Sequence, residues 1–263
     1  MTVALDTLQT LHVEIKNGIA YVTLNRPESK NAMNYQMVAE LHALFTGWQD
    51  ERSIRAIVLT GAEGTFCAGG DIKEMRDNPV PAVESAANLD AMLRAANEAA
   101  QVVIARVEGA ALGGGLGLVC VADIAIASET AIMGLPEVRL GVAPAFISPF
   151  VIDRIGLTRA RELMLTGRRF NGLKALEYGI VHDCCTPDEL DTCVDLLLYD
   201  IRQCAPGAIA AIKELIFKVR DQPLDATVNY RADLLNQLRA GEEAQEGLLA
   251  FIEKRAPRWA SEA

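Results

Sequence analysis

The chain has 263 residues, and 51% of them are hydrophobic, which allows a sizeable core in one domain or in a domain with an appendage. Its formal net charge of −10 argues against a nucleic-acid-binding surface, because phosphates would be repelled. No apolar run reaches the roughly 18 residues of a membrane helix, and the N-terminus lacks the basic region of a secretory signal. We therefore expect a cytoplasmic protein without membrane contacts.

The first two thirds of the chain alternate between predicted strands and helices. Residues 11–24 alternate in polarity around Asn17 and Gly18, a pair that favours a two-residue hairpin turn. A helix is predicted over about residues 34–50. The predicted strands lie near residues 55–60, 102–107 and 123–127. This alternation is typical of an α/β protein with a parallel-rich sheet.

Two other regions have a different character. Residues 77–87 contain Pro79 and Pro81, and we predict a loop over the site there. After residue 187, apolar residues three and four apart predict consecutive helices. These helices cover residues 194–205, 208–220, 224–240 and 242–255. We therefore divide the chain into a core at residues 1–200 and a C-terminal helical subdomain at residues 201–263.

A glycine-rich turn, residues 110–118 (AALGGGLGL), follows the strand predicted at residues 102–107. Adjacent glycines bring backbone N–H groups close to a ligand, and a helix that begins there adds partial positive charge. The turn lacks the Gly-Lys-Ser/Thr of a Walker loop and the G-x-G-x-x-G of a dinucleotide site. Stabilisation of an acyl oxyanion is the remaining functional interpretation, and tight packing without a ligand is the alternative.

A second turn of small residues, 66–71 (FCAGGD), follows the strand predicted at residues 55–60. Asp71 is well placed to cap the helix that would begin after it. An oxyanion hole usually takes its two donors from separate segments, and these two turns could supply them. Farther along, Glu137 is a lone acid in a largely apolar stretch, where partial burial would raise its pKa and suit proton transfer.

The six cysteines form no C-x-x-C motif and no His–Cys set with metal-ligand spacing, so no metal site is predicted. We expect reduced thiols. Cys67 adjoins the second turn, which makes a nucleophilic thiol an alternative, but no histidine is close in sequence to activate it.

Five segments, in order over nearly the whole chain, resemble the crotonase superfamily of enoyl-CoA hydratases and isomerases. They are residues 25–33 (NRPESKNAM), 66–75 (FCAGGDIKEM), 108–115 (EGAALGGG), 134–141 (GLPEVRLG) and 246–255 (EGLLAFIEKR). The resemblance implies an α/β spiral of ββα units whose C-terminal helices build homotrimers, often paired into homohexamers. It also implies an acyl-CoA thioester substrate, with coenzyme A as part of the substrate and no separate cofactor.

The resemblance further implies individual roles. The N–H groups of Ala68 and Gly114 would bind the thioester oxygen as it becomes an enolate, and Glu137 would move the proton. Phe251 and Lys254 would reach the CoA of a neighbouring subunit. The residues predicted to bind substrate are Asn31, Ala32, Ala68, Gly69, Gly70, Asp71, Ile72, Gly113, Gly117, Phe251 and Lys254.

The main departure from the family pattern is Gly117, where two-acid hydratases have a glutamate. With Glu137 alone, one carboxyl must both hold water and deliver a proton, whereas isomerisation between C2 and C4 needs only one base. Residues 113–120 and 135–150 nevertheless look most like the 3-methylglutaconyl-CoA and isohexenylglutaconyl-CoA hydratases. We predict hydration of a branched or glutaconyl-type enoyl-CoA, with a branched substrate filling the space that Gly117 leaves.

Two alternatives stay open. A Δ3,Δ2-enoyl-CoA isomerase would use the same site residues and the single acid Glu137. Binding of acyl-CoA or RNA without catalysis is a different class of function, and the acidic charge disfavours RNA.

Overall fold

The computed structural model describes residues 4–77 and 82–261. Its strands in chain order are β1 (Leu11–Lys16), β2 (Ile19–Leu24), β3 (Ala56–Gly61), β4 (Val102–Val107), β5 (Ala110–Leu112), β6 (Ile124–Ser128), β7 (Ile132–Gly134), β8 (Arg169–Asn171) and β9 (Asp183–Cys185). Six of them form one sheet in the order β1-β2-β3-β4-β6-β9, and β5-β7-β8 form a second, smaller sheet. This is the α/β architecture with a parallel-rich sheet expected from the sequence.

The large sheet is antiparallel only at its first pair. Strands β1 and β2 form a hairpin whose turn residues, Asn17 and Gly18, both have positive φ (48° and 72°), as a tight hairpin turn requires. From β2 to β9 every neighbouring pair is parallel. The predicted hairpin and parallel-rich sheet are therefore confirmed, and the three predicted strands are correct within one residue at each end.

The helices wrap this sheet and continue beyond it. They are α1 (Tyr35–Gly47), α2 (Ile72–Asp77), α3 (Ala82–Asn97), α4 (Gly114–Val121), α5 (Ser148–Thr166), α6 (Gly172–Glu177), α7 (Leu190–Arg202), α8 (Pro206–Arg220), α9 (Val228–Ala240), α10 (Glu242–Glu253) and α11 (Arg258–Ser261). Within the described ranges, no helix combines the length and the apolar character that crossing a membrane would demand.

Two sequence predictions about helices have different outcomes. Asn34 caps α1, because its Oδ1 accepts a hydrogen bond of 2.9 Å from the Met37 N–H, and the helix predicted there is confirmed. The loop predicted over residues 77–87 is wrong for residues 82–87, which form the start of α3. Residues 78–81 of that prediction lie outside the described residues. Pro79 and Pro81 both precede residue 82 in the sequence, so neither interrupts the helix.

Both faces of the central parallel strands β3, β4 and β6 are buried, as is usual in a parallel sheet. Along β3, Ile57 and Leu59 pack into a large apolar cluster with α1 and α4, whereas Ala56 and Val58 face the opposite side. There α7 covers the sheet with its own apolar stripe, Leu190, Val194, Leu198 and Ile201. The boundary predicted near residue 200 therefore falls within α7, and the division into two domains stays a prediction.

A buried ion pair attaches α8 to the core. Lys213 on α8 is 7% exposed, and its Nζ donates to Asp123 Oδ2 at 2.5 Å and to the carbonyl of Gln101 at 2.8 Å. Asp123 Oδ2 also accepts from the Val103 N–H at 2.7 Å, next to the start of β4. Burial lowers the pKa of Lys213, and Asp123 opposes that shift. This satisfied polar contact joins α8 to the sheet.

We expect Lys213→Met to lower the free energy of unfolding by about 3 kcal/mol, because Asp123 would lose its charged partner. Thermal and urea unfolding would measure the loss. The matched control is Lys218→Met on the exposed side of the same helix. An equal effect of the two substitutions would contradict the role given to the ion pair.

Candidate active site

The two glycine turns meet at β5. The Cys67 N–H donates to the Ala110 carbonyl at 2.8 Å, and the Leu112 N–H donates back to the Cys67 carbonyl at 3.0 Å. A Cβ on Gly115 would stand only 2.3 Å from the Cys67 carbonyl oxygen. Because no side chain fits there, glycine is required for α4 to begin so close to residues 67–70.

This approach leaves two backbone donors side by side. Gly69 and Asp71 are paired with Met33, because the Met33 N–H donates to the Gly69 carbonyl and the Asp71 N–H donates to the Met33 carbonyl. The N–H of Gly70 between them donates to no group in the described part of the chain. Gly114 is the first residue of α4, where an N–H has no partner within its helix. A Cβ on Gly114 would lie 3.8 Å from the Gly70 nitrogen. Two convergent N–H groups of this kind can hold an oxyanion.

The prediction that Ala68 supplies one of these donors is contradicted by its hydrogen bond. The Ala68 N–H donates to the Lys30 carbonyl at 3.0 Å, so it serves the turn itself. Gly70, two residues later, has an N–H without a partner among residues 4–77 and 82–261. Gly69 makes the change of direction possible, with φ of +108° and a missing Cβ that would otherwise stand 3.0 Å from the Leu112 carbonyl oxygen.

Glu137 lies against Gly113, the residue directly before Gly114. It lies in a short 3-10 turn, Pro136–Leu140, directly after β7 and Leu135. Gly113 has φ of +50°, and a Cβ there would stand 2.8 Å from Glu137 Oε1. Glu137 Oε2 is buried and has no hydrogen-bond partner in the described part of the chain. Burial raises the pKa of this carboxyl, which suits it to carry a proton near neutral pH.

Asn31 has a structural role instead of the predicted contact with substrate. It is fully buried, and its Nδ2 donates to the carbonyls of Ala62 at 2.9 Å and Thr65 at 2.6 Å. Its Oδ1 accepts from the Arg26 N–H at 2.9 Å. All of these contacts are within the protein, so the side chain ties the N-terminal turn to the turn that carries Gly70.

Asp71 and Ala32 are joined by Arg26, a residue that the sequence analysis did not single out. Arg26 donates to Asp71 Oδ2 at 2.9 Å and to the Ala32 carbonyl at 2.6 Å. Asp71 Oδ1 also accepts from the Glu74 N–H, so it caps α2 as predicted. Burial would raise the pKa of Asp71, but the Glu74 N–H and Arg26 outweigh it and lower that pKa. This pair fixes the helix that begins just after Gly70.

The space expected beside Gly117 is already occupied. A Cβ on Gly117 would stand 2.3 Å from Ile147 Cγ2 and 2.9 Å from Ile147 Cβ. The prediction that a branched substrate fills this space is therefore wrong, because a side chain of the same protein fills it. Ile147 was missed, since its 30-residue separation from Gly117 gives no local signal in the sequence.

The remaining predicted residues lie at the surface. Ile72 is exposed in the first turn of α2. Phe251, 85% exposed, is on α10, and Lys254 follows that helix in a left-handed conformation. Their contact with a neighbouring subunit stays a prediction. The alternative of a nucleophilic Cys67 does not fit, because burial raises the pKa of this thiol to about 11 and keeps it protonated.

The comparisons with known proteins agree with this geometry. Residues 14–262 match the enoyl-CoA hydratase/isomerase family. A probable enoyl-CoA hydratase of Mycobacterium tuberculosis is 35% identical over 254 residues, which cover 96% of this chain and 98% of that protein. The (E)-benzylidenesuccinyl-CoA hydratase of Thauera aromatica is 34% identical over 253 residues, with 93% and 96% covered.

Solved structures are similar over the same range. Pseudomonas aeruginosa AtuE superposes with a TM-score of 0.93 at 46% identity, covering 96% of this chain and 100% of that one. The chain therefore belongs to the enoyl-CoA hydratase/isomerase family, within the crotonase superfamily.

The unpaired Glu137 carboxyl should cost stability when it is ionised. The pKa of Glu137 is raised in the folded state. As the pH rises above the pKa of glutamate in the unfolded chain, ionisation of Glu137 therefore lowers the free energy of unfolding. We expect Glu137→Gln to raise the melting temperature at pH 7, with the gain vanishing below about pH 4, where glutamate is protonated in both states. Calorimetry across this pH range would measure it. Exposed Glu98→Gln is the control, and a gain independent of pH would contradict the argument.

Proposed function

We propose that this protein is an enoyl-CoA hydratase that adds water across the 2,3 double bond of a branched or glutaconyl-type enoyl-CoA. The observation that carries the proposal is the convergence of three groups. The N–H donors of Gly70 and Gly114 adjoin each other, and the buried, unpartnered carboxyl of Glu137 lies against Gly113. Donors and acid are thus within one site built on the start of α4.

The proposed role of the two N–H groups is to bind the thioester oxygen. When water attacks C3, negative charge moves onto that oxygen to give an enolate. Donors that already point at the oxygen stabilise this charge without reorganising, and loss of one such donor typically costs about 100- to 1000-fold in rate. The N-terminal end of α4 contributes partial positive charge in the same direction.

Glu137 would act as both base and acid. In its ionised form it would orient a water molecule, accept a proton as the oxygen bonds to C3, and then return a proton to C2. The proton taken from water and the proton given to carbon balance, so the carboxylate is regenerated. All of these steps use the protein's own groups, and coenzyme A is carried as part of the substrate.

The branched or glutaconyl-type substrate is supported by residues 113–120 and 135–150, which look like the corresponding segments of 3-methylglutaconyl-CoA and isohexenylglutaconyl-CoA hydratases. A relative from Thauera aromatica, at 34% identity, is named for a benzylidene-substituted succinyl thioester, which is also branched.

Isomerisation of a Δ3-enoyl-CoA to the Δ2 form is the second candidate. One observation favours it. Position 117 is a glycine and supplies no second carboxyl, so Glu137 is left as the acid at the start of α4. Moving a proton between C2 and C4 needs a single base and no bound water.

We also propose that the protein forms trimers or hexamers through its C-terminal helices. Leu248, Leu249, Phe251 and Ile252 on α10 are all exposed in the isolated chain. An apolar surface of this kind is usually covered in a protein assembly. In the assembly, Phe251 and Lys254 would approach the CoA of a neighbouring subunit.

Product analysis in heavy-oxygen water would separate the two activities. We expect 3-methylglutaconyl-CoA to gain one heavy oxygen, and a straight-chain 3-enoyl-CoA to stay unconverted. Glu137→Gln should lower hydration at least about 100-fold, because the proton carrier is lost. Conversion of the 3-enoyl compound without oxygen uptake would instead establish the isomerase, and near wild-type turnover of the variant would remove Glu137 from the mechanism.

The pH dependence of kcat/KM should report the ionisation of Glu137. Because the base must be deprotonated, activity should fall as the pH drops through its pKa. Burial raises that pKa, so the midpoint of the acid limb should lie at a higher pH than for an ordinary glutamate. Initial rates between pH 4 and 8, with melting temperatures as a control for unfolding, would measure this midpoint.

A further inference from the structure

The guanidinium of Arg26 joins two chain segments beside Gly70. Its Nη1 donates to the Ala32 carbonyl at 2.6 Å, and its Nη2 donates to Asp71 Oδ2 at 2.9 Å. Asp71 directly follows Gly70 in the chain. Ala32 directly precedes Met33, the residue that pairs with the Gly70 turn. Because the two nitrogens belong to one planar group, they fix the spacing of the two segments.

The backbone of Arg26 is itself held in a closed turn. Its N–H donates to Asn31 Oδ1 at 2.9 Å, and its carbonyl accepts from the Asn31 N–H at 2.9 Å. The Asn31 side chain donates in turn to the carbonyls of Ala62 and Thr65, shortly before the turn that carries Gly70. Arg26 therefore connects a well-anchored turn with the segment that supplies the donor.

The direction of the Gly70 N–H follows from the contact with Met33. The peptide bond between Gly69 and Gly70 is trans and planar, so its C=O and its N–H point in opposite directions. The Gly69 carbonyl accepts from the Met33 N–H at 2.8 Å. The Gly70 N–H therefore points away from Met33. A shift of the Met33 segment would turn this peptide plane, and the donor would turn with it.

We infer that Arg26 and Asp71 are positioning residues, which together aim the Gly70 N–H at the thioester oxygen. This inference rests on the proposed function. Both carboxylate oxygens of Asp71 have partners inside the protein, because Oδ2 accepts from Arg26 and Oδ1 accepts from the Glu74 N–H at 3.2 Å. In this arrangement Asp71 acts through Gly70 and not through a contact with substrate.

The ion pair is sheltered enough to hold this geometry. The side chains of Arg26 and Asp71 are 18% and 13% exposed, so salt and water screen their attraction less than that of a surface pair. Precision matters here, because a misplacement of about 1 Å can cost about 100-fold in rate. Such a loss would fall mainly on the transition state, in which the oxygen carries its charge, and less on binding of the ground state.

The kinetics of three variants test the pair. We expect Arg26→Met to lower kcat at least about tenfold and to change KM less than about threefold. Arg26→Lys keeps the charge without the planar fork and should recover only part of the loss. Asp71→Asn removes the charge and offers one acceptor where Arg26 and the Glu74 N–H need two, so kcat should fall as in Arg26→Met.

The matched control is Arg94→Met, which removes an ion pair of 2.6 Å with Asp90 on the exposed side of α3. It should leave kcat and KM unchanged. A raised KM at unchanged kcat in Arg26→Met and Asp71→Asn would overturn the inference. Melting temperatures of all variants would show that each is folded at the assay temperature, and Arg26→Lys replaces Arg26→Met in the comparison if the latter does not fold.

The vibration of the bound carbonyl reports the aim of the donor directly. Butyryl-CoA with heavy carbon at the thioester carbonyl binds without turnover, and hydrogen bonds to its oxygen lower the C=O stretching frequency. Isotope-edited infrared difference spectra at saturating ligand would measure this downshift. We expect the full downshift in the wild-type protein and in Arg94→Met, and a smaller one in Arg26→Met and Asp71→Asn. An equal downshift in all four proteins would overturn the inference.

Failure of the proposed function would be recognised separately. If the wild-type protein lowers the carbonyl frequency but incorporates no heavy oxygen from any 2-enoyl-CoA, hydration is excluded, and the infrared comparison still decides the role of Arg26 and Asp71. If hydration proceeds and the variants keep the full downshift, the inference alone is rejected. Absence of a downshift in the wild-type protein would reject both, because Gly70 and Gly114 would then not bind the thioester oxygen.

Discussion

The close approach of residues 67–70 to the first turn of α4 is the contact on which the rest of the site depends. Gly115 allows it, because any side chain there would collide with the Cys67 carbonyl oxygen. The approach brings the N–H groups of Gly70 and Gly114 together and fixes the direction in which α4 leaves the sheet. That direction in turn places Gly113 against Glu137 and Gly117 against Ile147. Two backbone donors and one acid thus share a single steric origin.

The buried polar groups fall into two classes with different consequences. Asn31 and the pair Lys213–Asp123 are fully committed to partners inside the protein, and they hold segments together. Glu137 Oε2 is buried and lacks a partner among the described residues. Unpaired buried groups are costly, so a fold normally avoids them unless a ligand completes them. The two classes separate groups that maintain the structure from groups available for chemistry.

Local sequence patterns were sufficient for most of the fold. Asn17-Gly18 predicts the hairpin, Asp71 predicts a helix cap, and the alternation of strands and helices predicts the parallel sheet. The loop at residues 82–87 was wrong, because the prolines precede a helix instead of preventing it. The sequence could not decide whether Gly70 or Ala68 supplies the N–H donor, since the choice depends on how the turn pairs with Met33 and Lys30. That Ile147 occupies the space beside Gly117 could be seen only in the folded structure, because the two residues are far apart in sequence.

The overlap between Gly117 and Ile147 also constrains how this site could change its chemistry by mutation. Enlarging residue 117 first would pass through an overpacked protein, because the new Cβ and Ile147 Cγ2 would compete for one volume. Shrinking residue 147 first would leave a cavity, which destabilises the protein but keeps the backbone in place. A route to a two-acid site is therefore open when residue 147 is made smaller first, and obstructed when residue 117 is made larger first.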